Sequence, residues 1–406
     1  MEKKLSVAVT NEKVSNYIPD EISYSILSKL PLKSLKRFQC VQKSWSHLFE
    51  NHYFMNMFRN NFLSYSDPSS LILRVVENHE TVFYSFSGER FKNMVKLDWS
   101  NSLEEVDNCT SMFSVNGTLC LYSGDNGNIV LWNPVSQTIK DLPNSEVQLA
   151  QFDMPYGADD YVDFDVDYYL HGFGYDHVTN DYKVIWYADI HTELLTRYLE
   201  DEENLLVDWL ESIDFNSVWE IYSLRSNSWR KLHVDMPYSS KCYECTQVYM
   251  DGVCHWLCEY HQTVGPCLVS FYLSNEVFFI TPIPSDVDDC FYRKASWINL
   301  AVLNGFITLI SYHEKTTTFH ISILGEIGME ESWTKLLIVG PLSSVMRPIG
   351  VGVKGEIVFI RKDQKLVWLD LHTQMTAELG YQGGAVHSSQ IIIYKESILP
   401  IEGISN

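Results

Sequence analysis

Positive charge is scarce in this chain. Its 406 residues carry 30 Lys and Arg against 52 Asp and Glu, a formal net charge of −22. The deficit is uneven: residues 1–63 hold nine bases and five acids, a net of +4, and the remainder carries −26. So acidic a body lacks the basic face that phosphate contact requires, which argues against nucleic acid as a partner. It suits a basic or neutral protein partner, or serves solubility alone. Long apolar runs are missing too. The best, Leu300–Ile310, is too short to span a bilayer and is broken by Asn304 and Gly305, so no membrane partner is expected. The opening MEKKLSVAVTNEKVSNY lacks the apolar core of a signal peptide. Cysteines are few and odd in number, nine, which fits reduced thiols in the cytoplasm or nucleus. The sequons at Asn108 and Asn116 then meet no glycosylation machinery. No nucleophile elbow, zinc-protease helix or phosphate-binding loop occurs; His191-Thr192-Glu193 and Gly383-Gly384 match no catalytic template. The expectation is a chain with no cofactor, no metal and no reaction of its own.

Aromatic residues are plentiful, at 14% of the chain, and they fit half-buried pleated surfaces. The exception is the N-terminal stretch IPDEISYSILSKLPLKSLKRFQCVQKSWSHLFE, residues 18–50. Ile22, Ile26, Leu27 and Leu30 recur at helical spacing. Pro19 suits the first helical position and Asp20 and Glu21 the positive N-terminal end, while Pro31 stops the helix. Leu35, Phe38, Cys40 and Val41 form a second apolar set, and Trp45, Leu48 and Phe49 a third. Three short helices in so few residues carry more apolar surface than they can bury alone, so part of it is to be completed by a partner or by the following domain.

Past residue 70, short β-branched and aromatic runs alternate with turn residues, as in SLILRVV, GTLCLYS, YKVIWYAD and KLVWLDL. Such spacing means a sandwich, barrel or propeller. NIVLWNPVSQTIKDLP, VWEIYSLRSNSWRKL, CLVSFYLSNEVFFITPIP and KLVWLDLHTQMTAEL repeat one strand–turn–strand pattern. A second unit recurs at Asn116-Gly117, Asp251-Gly252 and Asn304-Gly305. Like units lie roughly 40–60 residues apart, as in propeller blades, which predicts about six to eight blades. The expected layout is a tail over 1–16, a helical module over 17–63, a β domain over 64–398 and a tail over 399–406.

These residues also carry a family resemblance. I-P-D-E at 18–21, L-x-x-L-P at 27–31, K-S-L-x-R-F at 33–38 and V-x-K-S-W at 41–45 resemble a plant F-box. LWNP at 131–134, GFGYD at 172–176, NDYKVI at 180–185, YSLRSNSWR at 222–230, DGVCHWL at 251–257 and IIIYKES at 391–397 resemble the F-box-associated interaction domain of S-locus F-box-like and kelch-type F-box proteins. The resemblance implies a mainly β protein with a small N-terminal all-α module: a three-helix F-box before a kelch-like β-propeller. It also implies a job. The F-box would dock on a Skp-type adaptor held by a cullin, and the β domain would recruit a protein for ubiquitination. The matching positions assign adaptor contact to Ile18, Pro19, Ile22, Ile26, Leu27, Leu30, Pro31, Leu35, Phe38, Val41 and Trp45, with about a third of them expected to serve the module's own core.

Two acidic, aromatic segments interrupt the strands and are the candidate grip for a basic target. One holds Asp159, Asp160, Tyr161, Asp163 and Asp165; the other holds Asp201, Glu202, Glu203 and Trp209. The competing readings are solvated loops for these segments and, for the chain, a ligand- or zinc-binding propeller without ligase function. Cys242, Cys245, Cys254 and Cys258, with His255 and His261, have the composition of a zinc site. The bland reading of that cluster is preferred, because Cys254 and Cys258 belong to a strand whose His-Trp-Leu run is a family feature.

Overall fold

Asn-Gly and Asp-Gly pairs set the smallest unit of the fold. Asn116 and Gly117 (φ 50° and 80°), Asp251 and Gly252 (48° and 82°), and Asn304 and Gly305 (51° and 75°) are all left-handed. Two consecutive positive φ values make the hairpin turn whose twist matches that of the flanking strands, and glycine takes the second without strain. The computed structural model describes residues 18–30, 32–41, 43–46, 48, 51, 53–54, 57, 70–77, 80–98, 109–124, 127–145, 162–194, 218–238, 246–258, 265–284, 297–352, 354–381, 389–397 and 401. The chain divides into two units, Met1–Phe62 and Leu63–Asn406.

In the first unit, α1 spans Asp20–Leu27 and α2 spans Leu32–Gln39, followed by a 3-10 turn at Lys43–Trp45. Pro19 is the N-cap rather than the first helical residue. Its φ of −54° and ψ of 143° are extended, and its carbonyl accepts the amides of Ile22 and Ser23 at 3.0 Å. Asp20 and Glu21 occupy the first turn, where the unpaired amides favour negative charge. α1 ends at Leu27, ahead of Pro31, which lies outside the described residues. Leu27, Leu35, Leu48 and Phe54 are buried. Asn51 ties this core together: its Nδ2 donates to the Tyr24 hydroxyl and its Oδ1 accepts the Phe54 amide.

The second unit has six four-stranded antiparallel sheets among the described residues, at the lower edge of the predicted blade count. β1 (Ser70–Glu77), β2 (Glu80–Ser87) and β3 (Asn93–Lys96) begin blade I. Blade II holds β4 (Cys109–Val115), β5 (Thr118–Ser123), β6 (Ile129–Asn133) and β7 (Thr138–Asp141). Blade III holds β8 (Val162–Asp176), β9 (Asp181–Leu194), β10 (Val218–Ser223) and β11 (Ser228–Leu232). Blade IV holds β12 (Gln247–Met250), β13 (Val253–Cys258), β14 (Cys267–Tyr272) and β15 (Phe278–Pro282). Blade V holds β16 (Ile298–Leu303), β17 (Phe306–His313), β18 (Thr318–Leu324) and β19 (Trp333–Val339). Blade VI holds β20 (Val345–Val351), β21 (Ile357–Arg361), β22 (Leu366–Leu369) and β23 (Thr376–Glu378). The last strand, β24 (Gln390–Tyr394), returns to pair with β1, so blade I is built from both ends of the propeller.

The first strands of blades II to VI, with β24, form a closed ring in which each contacts the next: β4, β8, β12, β16, β20 and β24. That ring defines a six-bladed propeller. Apolar cores fill the spaces between adjacent sheets. Trp132 and Phe83 meet between blades I and II, Trp186 and Leu131 between II and III, and Trp256 and Trp219 between III and IV. Gln390 locks the ring where its ends meet. Its Oε1 accepts the Met112 amide at 2.8 Å and its Nε2 donates to the Met112 carbonyl at 2.9 Å.

Candidate functional site

The helical unit presents a narrow apolar stripe. Ile22 and Ile26 lie four residues apart on α1 and are 52% and 55% exposed, and Ile18, just ahead of the N-cap Pro19, is 58% exposed. Val41 is 70% exposed, and Pro19 is exposed beside Ile18. The other assigned residues divide. Leu27 and Leu35 are buried in the unit's own core. Leu30 is half-buried, and so are Phe38 and Trp45, whose rings meet edge to face with centroids 5.9 Å apart. Spacing alone could not separate these groups, because one short helix carries both an inward and an outward apolar row.

In the propeller, the motif GFGYD…NDYKVI builds the closed end of the β8–β9 hairpin. Asp176 accepts from the Val178 amide at 2.9 Å, the Thr179 hydroxyl at 2.7 Å and Lys183 Nζ at 2.7 Å. Lys183 Nζ also donates to the Leu273 carbonyl of blade IV at 2.9 Å, which fastens blade III to blade IV. Burial works to raise the Asp176 pKa, but the Lys183, Thr179 and Val178 hydrogen bonds outweigh it and hold the carboxyl near 2. Gly172 and Gly174 answer to close packing: a Cβ on Gly174 would lie 2.6 Å from both Leu273 Cδ1 and Tyr249 Cδ2.

The open end of the same hairpin outruns its blade. Among the described residues, β10 pairs with β9 over residues 183–188, while β8 and β9 remain paired out to Val162 opposite Leu194. A bulge between Leu170 and Gly172 sets the register of this ribbon. Beyond it, Asp167 pairs in register with Asp189, Asp165 with His191 and Asp163 with Glu193. The base is braced by rings on both sides. Tyr168 stacks on Trp186 at 4.4 Å and Trp186 on Trp229 at 3.9 Å; opposite them, Tyr187 stacks on Tyr238 at 3.9 Å. The Tyr169 hydroxyl donates to Asp167 Oδ2 at 3.1 Å, and burial followed by the Asp167 charge pushes its pKa up.

Of the target-binding residues expected from sequence, Asp163 and Asp165 fall on this ribbon. Asp159, Asp160, Tyr161, Asp201, Glu202, Glu203 and Trp209 lie outside the described residues. Asp189, His191 and Glu193 were not singled out as part of that grip. Counting residues back from the turn at 177–180 would have found them, had the bulge been known.

The cysteine cluster separates. Cys254 and Cys258 are buried on one face of β13 in the core between blades III and IV, where burial drives the Cys254 thiol pKa upward and Cys258 Sγ donates to the Tyr238 carbonyl at 3.1 Å. His255 occupies the opposite face, its Nδ1 2.9 Å from Ser270 Oγ. Cys242, Cys245 and His261 lie outside the described residues. Among the described residues, no three potential metal ligands converge, and no helix is long and apolar enough to cross a membrane.

A closed ring of six four-stranded sheets is the architecture of a six-bladed β-propeller. The family described as the F-box associated beta propeller domain matches residues 73–397, and the chain belongs to it. Among curated relatives, the chain is similar to F-box protein CPR1 of Arabidopsis thaliana, at 23% identity over 96% of this chain and 90% of the relative. It is also similar to an F-box/kelch-repeat protein of Arabidopsis thaliana, at 24% identity over 82% of each chain.

Proposed function

We propose that this chain is the substrate-recognition subunit of an SCF-type cullin ubiquitin ligase, with residues 17–63 as the F-box module and 64–398 as the recruiting domain. The observation that carries the reading is the stripe Ile18, Ile22 and Ile26, left half-exposed although the unit has a filled core in Leu27, Leu35, Leu48 and Phe54. A row of branched apolar side chains facing water is costly unless another protein covers it. Removing the remaining exposed half of each Ile contributes about 1 kcal/mol apiece, enough for an anchor when flanked by Val41 and Pro19. That partner would be a Skp-type adaptor, which links the chain to a cullin. Ubiquitin transfer would be the chemistry of other subunits, in the cytoplasm or nucleus.

The grip on the target is assigned to the acidic ribbon of blade III and the segments that leave its open end. Like charges directly opposite each other on paired strands are destabilising by roughly 0.2–1 kcal/mol per pair. The Asp167–Asp189 and Asp163–Glu193 registers are of this kind. A basic protein target would relieve the repulsion. The test is capture of a basic target by the full chain and by a variant with Asp163, Asp165, Asp167, Asp189 and Glu193 changed to Asn or Gln. Capture should weaken by tenfold or more while adaptor binding is retained. Unchanged capture would place the grip elsewhere.

A further inference from the structure

Each blade of a propeller ends in an outer strand whose far edge has no neighbour, and natural sheets guard such edges with charge. Five of the six outer strands among the described residues follow that rule: β3 carries Lys96, β7 Lys140 and Asp141, β11 Arg230 and Lys231, β19 Lys335, and β23 Glu378. The outer strand of blade IV does not. β15 reads Phe278-Phe279-Ile280-Thr281-Pro282, with no charged residue. Among the described strands it pairs with β14 alone. The Tyr272 amide donates to the Val277 carbonyl at 2.9 Å, which fixes the alternation that follows. Val277, Phe279 and Thr281 turn their main-chain groups toward β14, and Phe278 and Ile280 turn theirs outward. Pro282 has no amide to offer, and its carbonyl accepts from Trp333 Nε1 at 3.0 Å. The edge is therefore closed at Pro282 and open at Phe278 and Ile280.

The side chains beside the open stretch are apolar. Val277 is 45%, Phe279 46% and Met329 48% exposed. The Tyr272 ring meets Phe279 edge to face, with centroids 5.7 Å apart. Residues 325–332, which carry Met329, are fastened to β15 by the Gly328 amide, which donates to Thr281 Oγ1 at 2.8 Å. That segment holds Glu326, Glu330 and Glu331 and no Lys or Arg. At the turn into β15, Glu276 is paired with the exposed Arg230.

We propose that the outer edge of β15 takes an extended segment of a partner protein as an added strand of blade IV, a segment with apolar residues at alternate positions and Lys or Arg at its flanks. The outward amides and carbonyls of Phe278 and Ile280 supply the main-chain pairing, Phe279 and Met329 the apolar contact, and Glu326, Glu330 and Glu331 the preference for basic flanks. A second copy of this chain is disfavoured as the occupant, because residues 64–406 carry a net charge of −26 and would bring it against the same carboxylates. The edge belongs to a different blade from the acidic ribbon and is a separate contact.

The probe is the fluorescein-labelled peptide KRVTVTVRK, titrated against the purified full chain by fluorescence anisotropy. It should bind saturably, one per chain, and the acidic analogue EEVTVTVEE should bind about tenfold more weakly or worse. N-methylating the threonines blocks the amides on one edge of the peptide, and N-methylating the valines blocks those on the other. One of these two peptides should lose about tenfold or more in affinity while the other stays within about threefold, because only one edge meets β15. Phe279→Ser, which removes the apolar contact, and Ile280→Pro, which removes an outward amide, should each weaken the unmodified peptide about tenfold, with circular dichroism confirming the fold. Should either variant fail to fold, the two methylated peptides on the wild type still decide. Changing Asp163, Asp165, Asp167, Asp189 and Glu193 of the ribbon to Asn or Gln should leave the affinity within about threefold. No saturable binding, equal losses for the two methylated peptides, undiminished binding to folded Phe279→Ser, or loss of binding in the ribbon variant overturns the proposal. So does a wild-type dimer in sedimentation that Phe279→Ser dissociates, since a second copy would then hold the edge.

Discussion

Replacing Lys183 by Met tests how the propeller is held together. The substitution keeps the length of the side chain and removes the charge. Asp176 has a side chain only 1% exposed and would lose its cation. The Leu273 carbonyl would lose its donor from blade III at the same time. Breaking a buried pair by removing one partner costs about 3–5 kcal/mol. The lowered Asp176 pKa, which the Thr179 and Val178 hydrogen bonds share with Lys183, sets the scale of the network as a whole. Asp176 is held near 2 against an ordinary 3.8, a difference worth about 2.5 kcal/mol. Because this pKa is lowered on folding, the stabilisation is fully present above pH 3.8 and disappears as pH falls toward 2. Thermal unfolding at neutral pH should therefore show the melting temperature of Lys183→Met lowered by roughly 6–10 °C, at about 2 °C per kcal/mol for a domain of this size. The double variant Asp176→Asn, Lys183→Met should recover part of that loss, since no charge is left buried. A single-variant loss below about 1 kcal/mol would refute the assignment of this pair as a bolt between blades III and IV.

Three further outcomes follow from other contacts. His255 is buried and burial pushes its pKa down to about 3, so the unfolded chain takes up the proton first as pH falls below 6.5; stability should drop by about 2 kcal/mol between pH 7 and pH 5, and His255→Leu should flatten that slope in denaturant titrations. Gly174→Ala should destabilise by about 1–3 kcal/mol, because the new methyl meets Leu273 and Tyr249; an unchanged denaturation midpoint would count against the close approach. Gln390→Leu leaves the Met112 amide and carbonyl unpaired where the ring closes, so it should cost about 1–3 kcal/mol, read by the same titration.

Much of the β domain was legible because its signals are local. Asn116-Gly117, Asp251-Gly252 and Asn304-Gly305 each fix one hairpin, and each hairpin fixes two strands. The apolar rows of α1 were legible too, but not which row faces out, since that depends on Tyr24, Leu48 and Phe54 packing from other positions. Closure of the ring had no local sign. Ile391 pairs with Leu73 across most of the chain, and only the match of both ends to one sheet reveals it. The acidic ribbon was half legible: Asp163 and Asp165 stood out by composition, whereas Asp189, His191 and Glu193 join them only through a register shifted by the bulge at Leu170 and Gly172.

The central claim is that the α1 stripe docks this chain on a Skp-type adaptor. Its most direct test is the affinity of purified full chain for purified adaptor, measured for the wild type and for the double variant Ile22→Asp, Ile26→Asp. Both positions are about half exposed, so the propeller and the helical core should melt unchanged. The account predicts a one-to-one complex for the wild type and a loss of affinity of at least about 30-fold for the variant, equivalent to about 2 kcal/mol from two anchors. Equal affinity of the two proteins for the adaptor, or no complex with the wild type, would contradict it.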